Sequence, residues 1–315
     1  MRLPRTRTQL CSASPQRSPT LATILTDSQP ARLAVTVDKG VLYVVATPIG
    51  NLTDISQRSI DVLAQVDLIA AEDTRHTMPL LRHLGVVTPL LAMHEHNEKA
   101  LLERLIERLT AGQTMALVSD AGTPLISDPG YPLVRECQRR GIRVSPVPGA
   151  CALIAALSVS GLATDRFRFE GFPLRTSSAR QQQFRELVTE SGTLVFYESS
   201  HRIRATLVDM ARVFGAERHA VIARELTKLH ETVISAQLGA LSQIVESDAN
   251  QQKGEFVLLV AGYRRNPDEV SPEALRVLDL LREELPLKQA AVLAARITGE
   301  KRNRLYQLAL QRNQV

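Results

Sequence analysis

The stretch from Val118 to Gly130 reads V-S-D-A-G-T-P-L-I-S-D-P-G, the densest set of ligand-binding residue types in the chain. An apolar run from Met115 leads into it, and a helix-like segment starts near Pro129. A loop so placed sits at the carboxyl end of a strand, where open α/β sheets bind their ligands. Its small residues let backbone come close to a ligand, and its free N–H groups can hold a carboxylate or phosphate. Taken alone, the same residues also suit a tight surface turn. Two neighbours favour the ligand reading: T-P-I-G-N-L (Thr47 to Leu52) and V-P-G-A-C-A (Val147 to Ala152) should lie on the same rim. Three such loops on one rim predict a concave small-molecule site, closed by a second domain.

Three charged sets stand beside predicted strand ends: Glu72, Asp73 and Arg75; Glu198, His201 and Arg202; and Arg224, Glu225 and Lys228. Each mixes acids and bases, which suits either proton transfer or a structural ion-pair network. His94 and His96 form H-x-H, but no cysteine or carboxylate stands at metal-ligand spacing, so no metal site is expected. No G-x-G-x-x-G follows the first strand and no G-x-x-x-x-G-K-[ST] occurs, which disfavours dinucleotide and P-loop chemistry.

The elements that must position these residues are legible in the apolar pattern. The 315 residues are 44% hydrophobic, enough for two cored domains, and carry a net charge of +5, which permits an anionic partner such as nucleic acid. Aromatic residues are only 4%, too few for a large stacking platform. No apolar run reaches transmembrane length. Cys11, Cys137 and Cys151 form no C-x-x-C pair, which fits a reducing cytoplasm.

Residues 1–40 are rich in Ser, Thr, Pro and Arg and read as a disordered tail, a transit peptide or a stretch preceding the true start. From Val41 apolar strand-length runs alternate with helical periods. Strands are expected at 41–46, 67–71, 115–119 and 142–147. Helices are expected at 55–66 (capped by Thr53 or Asp54), 80–85, 97–112 and 149–159. This order implies a largely parallel sheet. A second α/β unit of mixed sheet follows, with strands at 193–197, 219–224, 232–236 and 255–261, helices at 179–191 and 203–214, and a hinge between Gly161 and Asp165. Residues 273–310 predict three short helices broken at Pro286 and Gly299, like a helix-turn-helix. Over 296–312 five basic residues face one acid, Glu300. The expected domains are therefore 41–162, 163–264 and 270–312.

Seven motifs in order carry a family resemblance. They are L-Y-V-V-A-T-P-I-G-N-L-T-D-I (from Leu42), A-E-D-T-R-H-T (from Ala71), the Val118–Gly130 loop, P-V-P-G-A (from Pro146), F-Y-E-S-S-H-R (from Phe196), A-R-E-L-T-K-L-H-E (from Ala223) and K-G-E-F-V-L-L-V-A-G (from Lys253). The chain resembles the ribosomal small subunit methyltransferase I family of the tetrapyrrole-methylase superfamily. The resemblance implies two α/β domains of the class III methyltransferase type, a cofactor cleft between them and a small C-terminal helical module. It further implies S-adenosyl-L-methionine as cofactor, a cytidine 2′-hydroxyl of 16S rRNA in the 30S subunit as substrate, and a cytoplasmic homodimer with no membrane association. Cofactor contacts are then expected at Pro48, Gly50, Asp120, Ala121, Gly122, Ile126, Ser127, Asp128, Gly149, Ala150, Phe196 and Tyr197. A ribose hydroxyl is a weak nucleophile, so a base or an orienting group is expected among Glu72, Asp73, Arg75 and Lys228. Arg202, Arg296, Lys301, Arg302 and Arg304 are candidates for RNA contact, and Arg75, His76 and Lys228 could also meet phosphate. The alternatives are a tetrapyrrole methylase of the same fold and a non-catalytic nucleic-acid-binding protein with a degenerate methylase domain.

Overall fold

The computed structural model describes residues 36–264 and 270–312. The tail expected over residues 1–40 lies almost wholly outside the described residues.

The first sheet holds β1 (Leu42–Val45), β2 (Leu68–Ala71), β3 (Leu90–Ala92), β4 (Met115–Val118) and β5 (Val144–Val147), in the order β3-β2-β4-β1-β5. Every pair in it is parallel. β2 and β4 are buried along their whole length, as parallel strands covered on both faces must be. The helices between them are α1 (Gln57–Gln65), α2 (Thr74–His83), α3 (Glu98–Thr110) and α4 (Tyr131–Arg139). α3 sinks Leu105, Ile106 and Leu109 into the core, the spacing its sequence predicts.

Several expected boundaries move. α1 is capped by Ser56, whose side chain accepts from the Ser59 N–H, whereas Thr53 and Asp54 belong to a 3-10 turn capped by Asn51. α2 begins a turn and a half before the expected Leu80, because Asp73 caps it and Pro79 sits inside it. β3 is only three half-buried residues long, too short to leave an apolar run.

The second sheet runs β6-β7-β10-β8-β9, with β6 (Phe167–Phe169) parallel to β7 (Thr193–Ser199) and the rest antiparallel. Its other strands are β8 (His219–Arg224), β9 (Thr232–Gln237) and β10 (Glu255–Val260). One face is covered by its own helices, α6 (Ser177–Leu187), α7 (Ile203–Phe214) and α8 (Leu238–Ser247), around Phe184, Phe196, Leu207 and Met210. α8 follows β9 with no intervening breaker, so the sequence shows no start signal for it.

The opposite face is covered by a helix from earlier in the chain. α5 (Ala152–Ser160) puts Leu153, Ala156 and Leu157 against Val195, Val221, Ala223, Val257 and Leu259. Burying each leucine contributes about 1.5–3 kcal/mol. This apolar seam docks the two sheets. α9 (Pro272–Glu284), α10 (Leu287–Thr298) and α11 (Arg302–Arg312) form a separate module around Leu278, Ala290, Ala294 and Leu305. Gly299 ends α10 in the left-handed conformation, as the sequence predicts. Among the described residues no helix is long and apolar enough to cross a membrane.

A buried ion pair fixes α6 to α7. Arg180 and Asp209 are 3% and 4% exposed, and the Arg180 Nε–H donates to Asp209 Oδ2 at 2.8 Å. Ser177 and Gln181 donate to the other carboxylate oxygen at 2.9 and 2.8 Å. Asp209→Ala leaves the guanidinium buried without its partner and should cost about 3–5 kcal/mol, read from urea unfolding.

A cleft between two sheets

The loops after β1, β2, β4 and β5, at the carboxyl end of the first sheet, face the seam, and there a cleft of about 560 Å³ opens between the domains. The first domain lines it with Glu72, Asp120, Ala121, Ile126, Ser127 and Asp128. The second domain adds Phe172, Tyr197, Glu198, Leu226, Lys228 and Val257.

The loop after β4 is held by its backbone. Thr47 N–H donates to the Gly122 carbonyl at 2.8 Å and Gly122 N–H returns the bond at 3.1 Å. Gly122 has φ +84°, and a Cβ on it would stand 3.3 Å from Ile49 Cγ2. Leu125 and Ser127 adopt left-handed backbone at φ +72° and +70°. Facing them, Glu225 and Thr227 do the same at φ +50° and +66°. These four are the non-glycine residues with positive φ among the described residues, and all flank the cleft. Such backbone persists only where surroundings fix it.

Asp120 ties the rim together. Its Oδ1 accepts from the Asp73 N–H at 3.1 Å and its Oδ2 pairs with His76 Nδ1 at 2.8 Å. That bond raises the His76 imidazole above its usual value. Burial pushes the Glu72 carboxyl up, and the charges of Asp120 and Asp73 add to it. Burial also pushes Asp128 up to about 6, aided by Glu72 and Asp120 and opposed by a hydrogen bond from Ser119. Tyr197 is raised chiefly by burial; its hydroxyl accepts from the Leu153 N–H at 3.2 Å, and its ring meets Phe169 edge-on at 4.9 Å between centroids.

Lys228 reaches over from the second domain and bonds Glu225 at 2.9 Å and Glu255 at 3.0 Å. Burial opposes its charge, but these two carboxylates outweigh it and raise the ammonium. Gly50 makes room for it: a Cβ there would lie 2.4 Å from Lys228 Cγ.

The structure divides the residues singled out by sequence. Asp120, Ala121, Ile126, Ser127, Asp128 and Tyr197 line the cleft, as do Glu72 and Lys228. Gly122 lies under its floor, and the Ala150 carbonyl is held by Thr123 Oγ1 at 3.0 Å. Pro48 and Gly50 line a smaller neighbouring cavity, and Gly149 packs on Ala46. Phe196 is a correction. It is fully buried on the far face of its sheet, with its ring 5.6 Å from Phe184, because successive strand residues point to opposite faces. Asp73 and Arg75 are also placed elsewhere. The Asp73 side chain caps α2, and its carboxyl is held below the usual range by hydrogen bonds from Arg75. Arg202 is engaged by Glu198 at 3.1 Å and by the Pro173 carbonyl, so it braces the Phe172 loop and is not free for phosphate. His201 lines a groove between α6, α7 and α8 instead. Arg296, Lys301 and Arg302 are exposed around the α10–α11 turn. Phe172 was missed; nothing in G-F-P-L marks it, and only the pairing of β6 with β7 brings it to Tyr197.

A family model of the tetrapyrrole (corrin/porphyrin) methylases matches residues 41–242, and one of the RsmI C-terminal HTH domain matches residues 268–313. The ribosomal RNA small subunit methyltransferase I of Pseudomonas aeruginosa is 58% identical over 275 residues, covering 87% of this chain and 98% of that protein. The chain belongs to the ribosomal RNA small subunit methyltransferase I family. The member from Synechocystis sp. is 48% identical, across 86% of this chain and 98% of its own length. Two solved structures share the family's fold at 17% identity. Diphthine synthase has a TM-score of 0.53 over 72% of this chain and 91% of its own. The methyltransferase CobJ has a TM-score of 0.52 over 72% and 96%.

Asp128 gives a pH test. Its folded-state value of about 6 lies above the ordinary carboxylate value, so the folded protein binds the proton more tightly. Its contribution to stability is therefore full at acid pH and lost as pH rises from about 4 to about 6. Asp128→Asn removes that loss, so the variant should gain on the wild type between about pH 4.5 and pH 7 in urea midpoints.

Proposed function

We propose that the protein transfers a methyl group from S-adenosyl-L-methionine to the ribose 2′-hydroxyl of a cytidine in 16S rRNA, acting on the small ribosomal subunit in the cytoplasm. The observation that carries this reading is the cleft. Its backbone-built loop and aromatic wall meet in a chain that matches a ribosomal RNA small subunit methyltransferase I almost end to end.

The residues present fit the cofactor. A volume of about 560 Å³ suits a ligand of that size, since small-molecule pockets run from about 300 to 1,000 Å³. Leu226, Ala223, Val257 and Tyr197 offer an apolar wall to a nucleoside. Glu72, Asp120 and Asp128 offer negative charge to a cationic ligand. S-adenosylmethionine, when bound, supplies an activated methyl group on a sulfonium. The chain's own share is positioning and exclusion of water. The Thr47–Gly122 bridge fixes the floor, and Phe172, Tyr197 and Leu226 form an apolar wall, so a bound methyl donor and its acceptor would be held in a fixed, water-poor site.

The exposed Arg296, Lys301 and Arg302 at the α10–α11 turn support RNA contact by the C-terminal module. A homodimer is supported by apolar surface on α5 and the neighbouring edge strand, where Ile154 and Val159 are each 52% exposed and Val233 is 40% exposed.

Methylation of small subunits from a strain lacking the gene, followed by mass mapping of rRNA ribose methylation, tests the reading. A single new methyl on a cytidine ribose is expected, and unmodified rRNA would overturn it. Gly122→Val forces a Cβ into Ile49 on left-handed backbone. Cofactor affinity by calorimetry should fall by about tenfold or more, while the melting temperature moves by only about 2–4 °C.

A further inference from the structure

Next to the cleft lies a second cavity of about 360 Å³ that the cofactor reading leaves unused. The two share Ile49, Asp120, Ala121, Lys228 and Glu255, so they meet across a common wall. The smaller one extends away under α2. Its outer wall is apolar, formed by Pro48, Leu52, Pro79 and Leu80, with Leu52 43% exposed. Its inner end is polar, formed by the His76–Asp120 pair and the Lys228–Glu255 pair.

The arrangement is graded from apolar to polar toward the cleft. A nucleotide is graded in the same way, from a stackable base to a hydroxylated sugar and its phosphate. About 360 Å³ is room for one such unit, and a duplex cannot enter. Enzymes that act on a nucleotide commonly take it out of the stack and seat it in a pocket.

Resting on the methyl-transfer reading above, we propose that this annex receives one nucleotide unstacked from RNA. Its base lies against Leu52, Pro79 and Leu80, and its ribose lies at the shared wall, where His76 takes the hydroxyl proton. The reacting oxygen has to stand at that wall, because only there do acceptor and cofactor spaces meet. Asp120 holds His76 through Nδ1, which leaves Nε2 as the nitrogen able to meet the substrate. This is the logic of an imidazole base oriented by a carboxylate. The hydroxyl oxygen forms its bond to the methyl carbon as the sulfur–carbon bond breaks. Sulfur keeps that electron pair, and the hydroxyl proton passes to His76 Nε2. The positive charge lost from sulfur reappears on the imidazolium, so charge balances. Lys228 sits at the same wall, held there by Glu225 and Glu255.

Two substitutions test this in the full chain. Leu52→Trp fills the mouth of the annex, and His76→Gln keeps a polar side chain without a base. Calorimetry with S-adenosylmethionine should give unchanged affinity in both, which also shows that both are folded. On small subunits, L52W should raise KM about tenfold, the scale of a lost stacking contact. H76Q should lower kcat about a hundredfold or more with KM little changed. A readout independent of the cofactor is the ring resonance of His76, identified by its disappearance in H76Q. A cytidine-containing RNA nonamer should shift it saturably in the wild type and not in L52W. Wild-type KM and kcat in both variants, or a His76 resonance that RNA leaves unmoved, would overturn the proposal. Were the wild type inactive on small subunits while RNA still shifted His76, the methyl-transfer reading would fail and the annex would stand as a nucleotide site.

Discussion

The structure depends on one apolar contact, that of α5 with the second sheet. Leu153, Ala156 and Leu157 close a face of β7, β8 and β10 that no helix of the second unit covers. Without them Val195, Val221 and Leu259 would face water. With them, the carboxyl rim of the first sheet is pressed against the second, and the cleft is the space left over. Small side chains on α5 allow the close approach, and the Tyr197 hydroxyl meets the Leu153 N–H at its start. The seam and the wall of the site therefore share a residue.

Local backbone strain concentrates where that docking can sustain it. Leu125 and Ser127 on one side, and Glu225 and Thr227 on the other, hold left-handed conformations that L side chains avoid. Each costs on the order of 1 kcal/mol, and neighbours hold them in place. Glu225 N–H donates to the Glu255 carbonyl at 3.0 Å, and Thr227 N–H donates to Glu231 at 2.6 Å. Electrostatics follow the same economy. A chain of net charge +5 gathers Glu72, Asp120 and Asp128 at its cleft, where burial first, and then the charge of their neighbours, raises Glu72 and Asp128.

Much of this was legible in the sequence, for reasons that differ by element. Apolar runs set β1, β2, β4, β8 and β10, because a fully buried strand must be apolar throughout. The period of α3 and the breaks at Pro286 and Gly299 were readable from local chemistry. The loop after β4 was legible because glycine, proline and aspartate together have few structural uses. What depends on distant contacts was not legible. The two-residue period of β7 puts Tyr197 in the cleft and Phe196 behind the sheet, and only the sheet's placement says which is which. Asp73 and Arg75 look like chemistry in a string of letters, but a helix cap explains them. His76, their neighbour, becomes notable only because Asp120, 44 residues away, reaches it. α5 reads as part of the first unit and packs as part of the second.

That last mismatch bears on how the molecule can move. The chain passes from the first sheet to the second once, through α5. Bending at 161–165 would peel α5 off the sheet it shelters. A pivot between the lobes that kept this packing would fall in the short link before α5, around Pro148 to Cys151. The Ala150 carbonyl in that link is held by Thr123, inside the loop that floors the cleft. The pivot and the cleft floor are thus tethered by one hydrogen bond, so the loop after β4 and the link into α5 are mechanically a single unit.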